Sequence, residues 1–207
     1  MKYIEKGEEP EALVQYNNKH PQGSYDDAGF KEHVPQLRHD LVEEQHDMCA
    51  YCCRKISDDK SHIEHIEPRH MKDGSISARS LDYTNMVASC NNGKTCGRAK
   101  GNSYDSQKFI SPLDRECESR IRYNLFTGRV QETDDNRYTV NLLNLNYQGL
   151  IDFRRNISLL LEEEIDLDDA DTVDDDTLND IEESYIELYG FADYIGQYMD
   201  FVRTGRE

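Results

Sequence analysis

No apolar run in this chain is long enough to cross a bilayer. The longest, Met48–Cys53, spans six residues, against about 20 for a membrane-spanning helix. The amino-terminal stretch MKYIEKGEEPEALVQ is charged and lacks the apolar segment of an export signal, so the chain is expected to stay in the cytoplasm. That compartment is reducing, and clustered cysteines there point to thiolates and metal before disulfides. No internal repeat is present, which sets aside a repeat architecture.

Lysine and arginine nearly vanish from the last quarter. Residues 156–207 hold 2 basic residues against 17 acidic ones, whereas residues 1–155 hold 22 against 25. A net charge of −18 argues at first against a nucleic-acid partner, but the acidity belongs to the tail. The nearly balanced remainder leaves room for a basic surface of Arg54, Lys55, Arg69, Lys72, Arg79, Lys94, Arg98 and Lys100 facing phosphate.

A length of 207 residues fits one domain with a substantial core. The patterning predicts an α+β, mainly helical fold in one compact domain: an N-terminal arm and helix over 1–48, a core over 49–105, and a helical C-terminal region with an acidic segment over 106–207. FKEHVPQLRHDLVEEQ predicts a helix from about Phe30 to Gln45, with Val34, Leu37 and Leu41 at helical spacing and Pro35 in its first turn. Short apolar runs broken by Gly, Asn, Asp and Ser over 49–105 predict brief strands and loops. NRYTVNLLNLN and GLIDFRRNISLLLEEE have helical periodicity. A last helix from about Leu178 to Val202 repeats apolar residues at Ile181, Tyr185, Leu188, Ala192, Ile195 and Met199. LDDADTVDDDT reads as a solvated acidic linker or cap. The tail helix is expected to pack its apolar face on the core and present carboxylates to a basic partner, the alternative being a merely solvated face.

What the chain concentrates instead is chemistry. CAYCCRKISDDKSHIEHIEPRH, residues 49–70, contains three cysteines and three histidines. Cys49 and Cys52 form a C-x2-C knuckle, and Cys90 and Cys96 form a looser pair, CNNGKTC, in which Gly93 eases the turn. Four thiolates can close a tetrahedral zinc site and clamp distant segments together; the alternative is four buried free thiols. Cys53 is a substitute for Cys52, and Cys117 has no evident mate. Between the pairs lies SHIEHIEPRH. There Glu64 is a candidate ligand for a divalent cation and His65 a candidate base toward water. His62 and His70 read as polar surface or supporting histidines. Arg69, Arg98 and Lys100 are candidate phosphate contacts. Tyr51, Tyr83 and Tyr104 are candidates for base stacking, with core or rim packing the alternative.

The order C-x2-C, EHIEP, LDYTNMVASC, CGRAKGN resembles HNH endonucleases with a zinc-stapled ββα-metal core. SYDD at 24–27, CAYC, IEH, LDYTN, AKGN, SPLD and LNLN further resemble, in order, the retron-associated and Septu-type HNH proteins known as PtuB, over roughly residues 13 to 160. The resemblance implies His65 as general base, Asn85 as the residue orienting it, and Glu64 as a ligand of catalytic magnesium or manganese. Many relatives carry His or Asn directly after the last Cys, where this chain has Gly97, so Asn102 is the third-motif candidate, with Asp105 behind it. It also implies a structural zinc at the cysteines, a PtuA-like ABC/SMC-type ATPase partner, and in retron settings a reverse transcriptase with its multicopy single-stranded DNA, all serving defence against phage. DNA is the expected substrate; alternatives are a nuclease acting on RNA such as tRNA in the same complex, or a non-catalytic zinc module.

Overall fold

Two short strands form the centre of the fold. They are β1 (Ser61–His65) and β2 (Met86–Cys90), paired antiparallel with Ser61 opposite Cys90 and His65 opposite Met86. The computed structural model describes residues 1–71, 73–165 and 173–205, so Lys72 and the stretch 166–172 of the acidic segment lie outside the described residues. β2 is buried at every position, covered by helix α2 (Val34–Glu44) and by the short helix α3 (Cys96–Lys100) that follows it. A strand covered on both faces has no need to alternate polar and apolar residues. The Gln45 side chain serves β2 as a substitute neighbouring strand: its amide oxygen accepts from the buried Ala88 N–H at 2.7 Å and its amide nitrogen donates to the Ala88 carbonyl at 2.9 Å, which also accepts from the Ala50 N–H at 3.0 Å.

α2 starts at Val34 rather than Phe30, with Pro35 inside its first turn as expected, because residues 28–30 form a separate 3-10 turn that seats Phe30 in the core. α1 (Glu11–Lys19) precedes it. The second half holds α4 (Cys117–Arg120), a small hairpin of β3 (Tyr123–Asn124) and β4 (Arg129–Val130), α5 (Arg137–Leu142) and the long α6 (Gln148–Ile165). The helix expected over NRYTVNLLNLN stops at Leu142, and Asn144 is left-handed at φ +49°. LNLN works as a fastener instead. The Leu143 carbonyl accepts from the Cys96 N–H at 2.8 Å, the Asn144 amide donates to the Lys94 carbonyl at 2.8 Å, and Asn146 brackets the Val130 backbone at 2.8 and 3.1 Å.

The single helix expected from Leu178 to Val202 is two, α7 (Asp175–Tyr189) and α8 (Ala192–Thr204). The break falls at Gly190, φ +71°, and Phe191, φ +53°. There the chain lies against the cysteine knuckle: the Phe191 N–H donates to the Cys53 carbonyl, and Gly190 bridges Arg54 antiparallel. The helical period runs on through the break, which is why the sequence reads as one helix. Ala192, Ile195 and Met199 are buried, Ile181 and Tyr185 half-buried, and Leu188 exposed. α8 is therefore part of the core, and its buried Asp193 pairs with the Met1 amine and the Tyr123 hydroxyl. Among the described residues no helix is long and apolar enough to cross a membrane.

A Cβ on Gly190 would lie 2.5 Å from the Lys55 nitrogen and 2.6 Å from the Cys53 carbonyl oxygen. Gly190→Ala is expected to destabilise the protein by about 2–4 kcal/mol through backbone strain and this collision, read as a lowered denaturation midpoint; an unchanged midpoint would show that the junction relaxes freely.

Candidate active site and metal cluster

The sulfurs of Cys49, Cys52, Cys90 and Cys96 all lie within 4.8 Å of one another, and all four residues are buried. Sulfurs held at about 2.3 Å from one tetrahedral zinc stand about 3.8 Å apart, so the set fits a metal such as zinc. The Cys90 N–H points at the Cys49 sulfur, 3.3 Å away. Cys53 lies outside this group, its sulfur facing the Lys2 N–H at 3.3 Å. Cys117 is a buried thiol that desolvation pushes up to about 12, inert at ordinary pH.

The cluster sets where α3 begins. Cys96 is its first residue, and the Gly97 N–H donates to Ser89 Oγ on β2 at 3.1 Å. On β1, His62 and Glu64 share a face through the two-residue strand period. Lys100 reaches back from α3 and places its Nζ 2.8 Å from Glu64 Oε1 and 2.9 Å from the His65 carbonyl. Its side chain is 1% exposed. Lys100 is thus turned inward to balance a buried carboxylate, where a contact to phosphate was expected. Burial alone would raise the Glu64 carboxyl; the His62 and Lys100 contacts outweigh it and hold the group below its usual value.

His65 Nε2 lies 3.0 Å from the Ser80 carbonyl. A carbonyl only accepts, so Nε2 carries the proton and Nδ1 the lone pair. Burial pushes His65 down to about 4, with the Arg69 and Lys100 charges adding to it. The ring is neutral near pH 7, the form a base requires. Tyr25 of SYDD meets it edge-on, ring centroids 4.8 Å apart.

Asn85 makes no hydrogen bond to His65. Fully buried, it accepts from the Glu67 N–H at 2.8 Å and donates to the Glu67 and Arg79 carbonyls at 3.0 and 3.2 Å. It closes the loop between the strands and so presents the Ser80 carbonyl to His65 at one remove.

His62, Glu64, His65, Tyr25 and Asn102 line a cleft of about 400 Å³ together with Arg38, Arg69 and Arg98. Asn102 is exposed at its rim, whereas Asp105 pairs with Lys108 at 3.1 Å and accepts from the Gln107 N–H. Arg69 lies over the Tyr25 ring and 3.6 Å from Asp26, which also pairs with His70 at 3.1 Å. The other expected basic residues do not join this face: Arg79 pairs with Asp82 and Glu67, Lys94 lies over Tyr147, and Arg54 and Lys55 meet Phe153 and the end of α7. Tyr51 is fully buried, Tyr83 donates to Glu44 and Tyr104 packs on Phe109, so none of the three is a free stacking surface. Sequence reasoning missed Arg38, Tyr25 and the meaning of Gly97. Tyr25 sat in a quoted motif without a role, and nothing local distinguishes Arg38 on an amphipathic helix.

The chain is 30% identical over 102 residues to a Vibrio cholerae serotype O1 biovar El Tor protein named "Retron Vc95 putative HNH endonuclease", covering 47% of this chain and 46% of that protein. It is 28% identical over 127 residues to an Escherichia coli protein named "Retron Ec83 putative HNH endonuclease", covering 58% of this chain and 45% of that one. The matched stretch thus spans a little under half the length of either relative. No family model matches the chain.

Purified protein is expected to carry one tightly held metal ion per chain, with Cys49→Ser and Cys96→Ser giving unstable product and Cys53→Ser and Cys117→Ser tolerated; folded protein free of metal by elemental analysis would refute this. His65 also makes stability fall with acid. Its proton affinity is lower folded, about 4, than unfolded, about 6.5. The stabilisation is complete above about 6.5 and lost progressively down to about 4, in total about 3 kcal/mol. Denaturation midpoints at several pH values should therefore fall less steeply for His65→Gln than for wild type across that window, and parallel slopes would contradict the burial argument.

Proposed function

We propose that the protein is an HNH-type endonuclease that hydrolyses phosphodiester bonds with a divalent cation. The observation that carries the reading is a neutral, buried His65 beside an ionised Glu64 on one strand of a ββα unit, next to a four-cysteine cluster and an arginine-lined cleft. The retron HNH endonuclease names of the relatives support it. In this role His65 Nδ1 accepts the proton of an attacking water, while the Ser80 carbonyl holds Nε2–H and the ring orientation. Glu64 and Asn102 line the cleft where a cation would be held; when bound, that ion supplies positive charge to the scissile phosphate and the leaving oxygen. Arg69 and Arg98, with Arg38, line the same cleft, and in this role they meet flanking phosphates. Attack by water needs no 2′-hydroxyl, which favours DNA.

The acidic face of α7 and the clustered charge of the tail suit a basic protein partner better than nucleic acid. We assign the chain to a retron or Septu-type antiphage system as its nuclease subunit, beside a PtuA-like ATPase and, in the retron case, the reverse transcriptase and its single-stranded DNA. The test is cleavage of duplex DNA, single-stranded DNA and structured RNA by the reconstituted complex with magnesium or manganese. His65→Ala should lower the rate by about 100-fold or more with partner binding intact; near-wild-type cleavage by that variant would sink the nuclease assignment, and cleavage of RNA alone would replace the substrate.

A further inference from the structure

Gly97 has no side chain, and the structure shows what stands in that space. A Cβ there would lie 2.6 Å from Glu64 Oε2 and 2.9 Å from His62 Nε2, closer than such atoms approach in practice. The two groups are themselves 3.6 Å apart. Glu64 divides its oxygens: Oε1 takes Lys100, and Oε2 turns toward His62. His62 is held from behind, its Nδ1 lying 3.1 Å from Asn91 Oδ1. The Asn91 orientation is fixed in turn, because its amide nitrogen donates to the Ser61 and Asp59 carbonyls at 3.0 and 3.4 Å. With an amide oxygen at Nδ1, that nitrogen carries a proton, and Nε2 meets Glu64 Oε2 across a gap that a cation would bridge in place of a proton. An imidazole whose rear N–H is bound to an oxygen while its front nitrogen faces a carboxylate is the arrangement of a metal-binding histidine.

We propose that His62, positioned by Asn91, is an imidazole ligand of the cation held at Glu64, and that Gly97 exists to leave it room. The proposal rests on the nuclease reading and assigns a ligand to the same cleft. It takes the ligand from β1, two residues before Glu64, where the resemblance pointed to α3 or Asn102. It also narrows the cation. One nitrogen and one carboxylate oxygen favour a transition ion such as manganese over magnesium, which prefers oxygen throughout.

The test is manganese binding by electron paramagnetic resonance on the full chain with its cysteine-bound metal in place. Wild type should bind one manganese ion in addition to that metal and show coupling to an imidazole nitrogen. His62→Ala and His62→Gln should weaken manganese binding at least tenfold, remove that coupling and lower the preference for manganese over magnesium. Asn91→Ala should weaken it by about tenfold through loss of the rear contact, and Gly97→Ala should weaken it by wedging the two ligands apart. Unchanged manganese affinity and coupling in both His62 variants, with binding lost in Glu64→Ala, would overturn the ligand assignment while leaving the nuclease reading in place. A wild-type chain that binds no manganese and cleaves nothing would overturn both.

Discussion

The convergence of four sulfurs on one point is the constraint from which the site follows. The C-x2-C knuckle is far in sequence from the segment that joins the end of β2 to the first turn of α3, and the cluster brings the two together. α3 has five residues, far too few for a helix to hold itself in water. It is kept in place from outside: by Cys96 in the cluster, by Ser89 against the Gly97 N–H, and by the Leu143 carbonyl against the Cys96 N–H. Because α3 is fixed, Lys100 ends against Glu64 and Gly97 lies over β1. A metal bound by the four sulfurs would thus order a cleft that contains none of those cysteines.

Charge inside the cleft wall is balanced by Lys100, which neutralises Glu64 and also donates to the His65 carbonyl. A buried ion pair contributes little net stability unless its remaining hydrogen-bonding capacity is met, and here two acceptors lie within 3.0 Å of one ammonium. The pair keeps a carboxylate ionised while burial leaves His65 neutral. Two adjacent residues therefore hold opposite responses to the same desolvation: the acid has a cation beside it, whereas cations near the imidazole oppose its protonation.

Much of this was legible in the sequence, and the reasons differ by residue. The cysteine set could be read because C-x2-C spacing is local chemistry, and Glu64 and His65 because adjacent acid and base are visible as letters. Lys100 was misread because burial of a lysine depends on a partner 36 positions away in the chain, which no window along the helix contains. Asn85 was read as the residue orienting His65, but its hydrogen bonds fasten the loop and leave the ring to Ser80. The tail read as one helix because the apolar period survives a break imposed from outside by the knuckle. Several residues of the quoted motifs turn out to be fasteners: Asp82 accepts from the Thr84 N–H at 2.8 Å, Asp27 from the Ser24 N–H at 2.8 Å, and LNLN ties α3 to α5. A motif can thus identify a fold through residues that never meet a substrate.

The contact of Gly190 and Phe191 with Cys53–Lys55 has a kinetic side. The backbone just beyond the knuckle is held by the junction of two helices, the second of which is threaded into the core. Release of an ion from the four sulfurs would be eased by opening of the knuckle, and the Phe191 hydrogen bond to the Cys53 carbonyl opposes that movement. A metal held there would thus leave through a knuckle that the carboxyl-terminal helices brace, so a chelator competing for such an ion would sense the docking of a segment well over a hundred residues away along the chain.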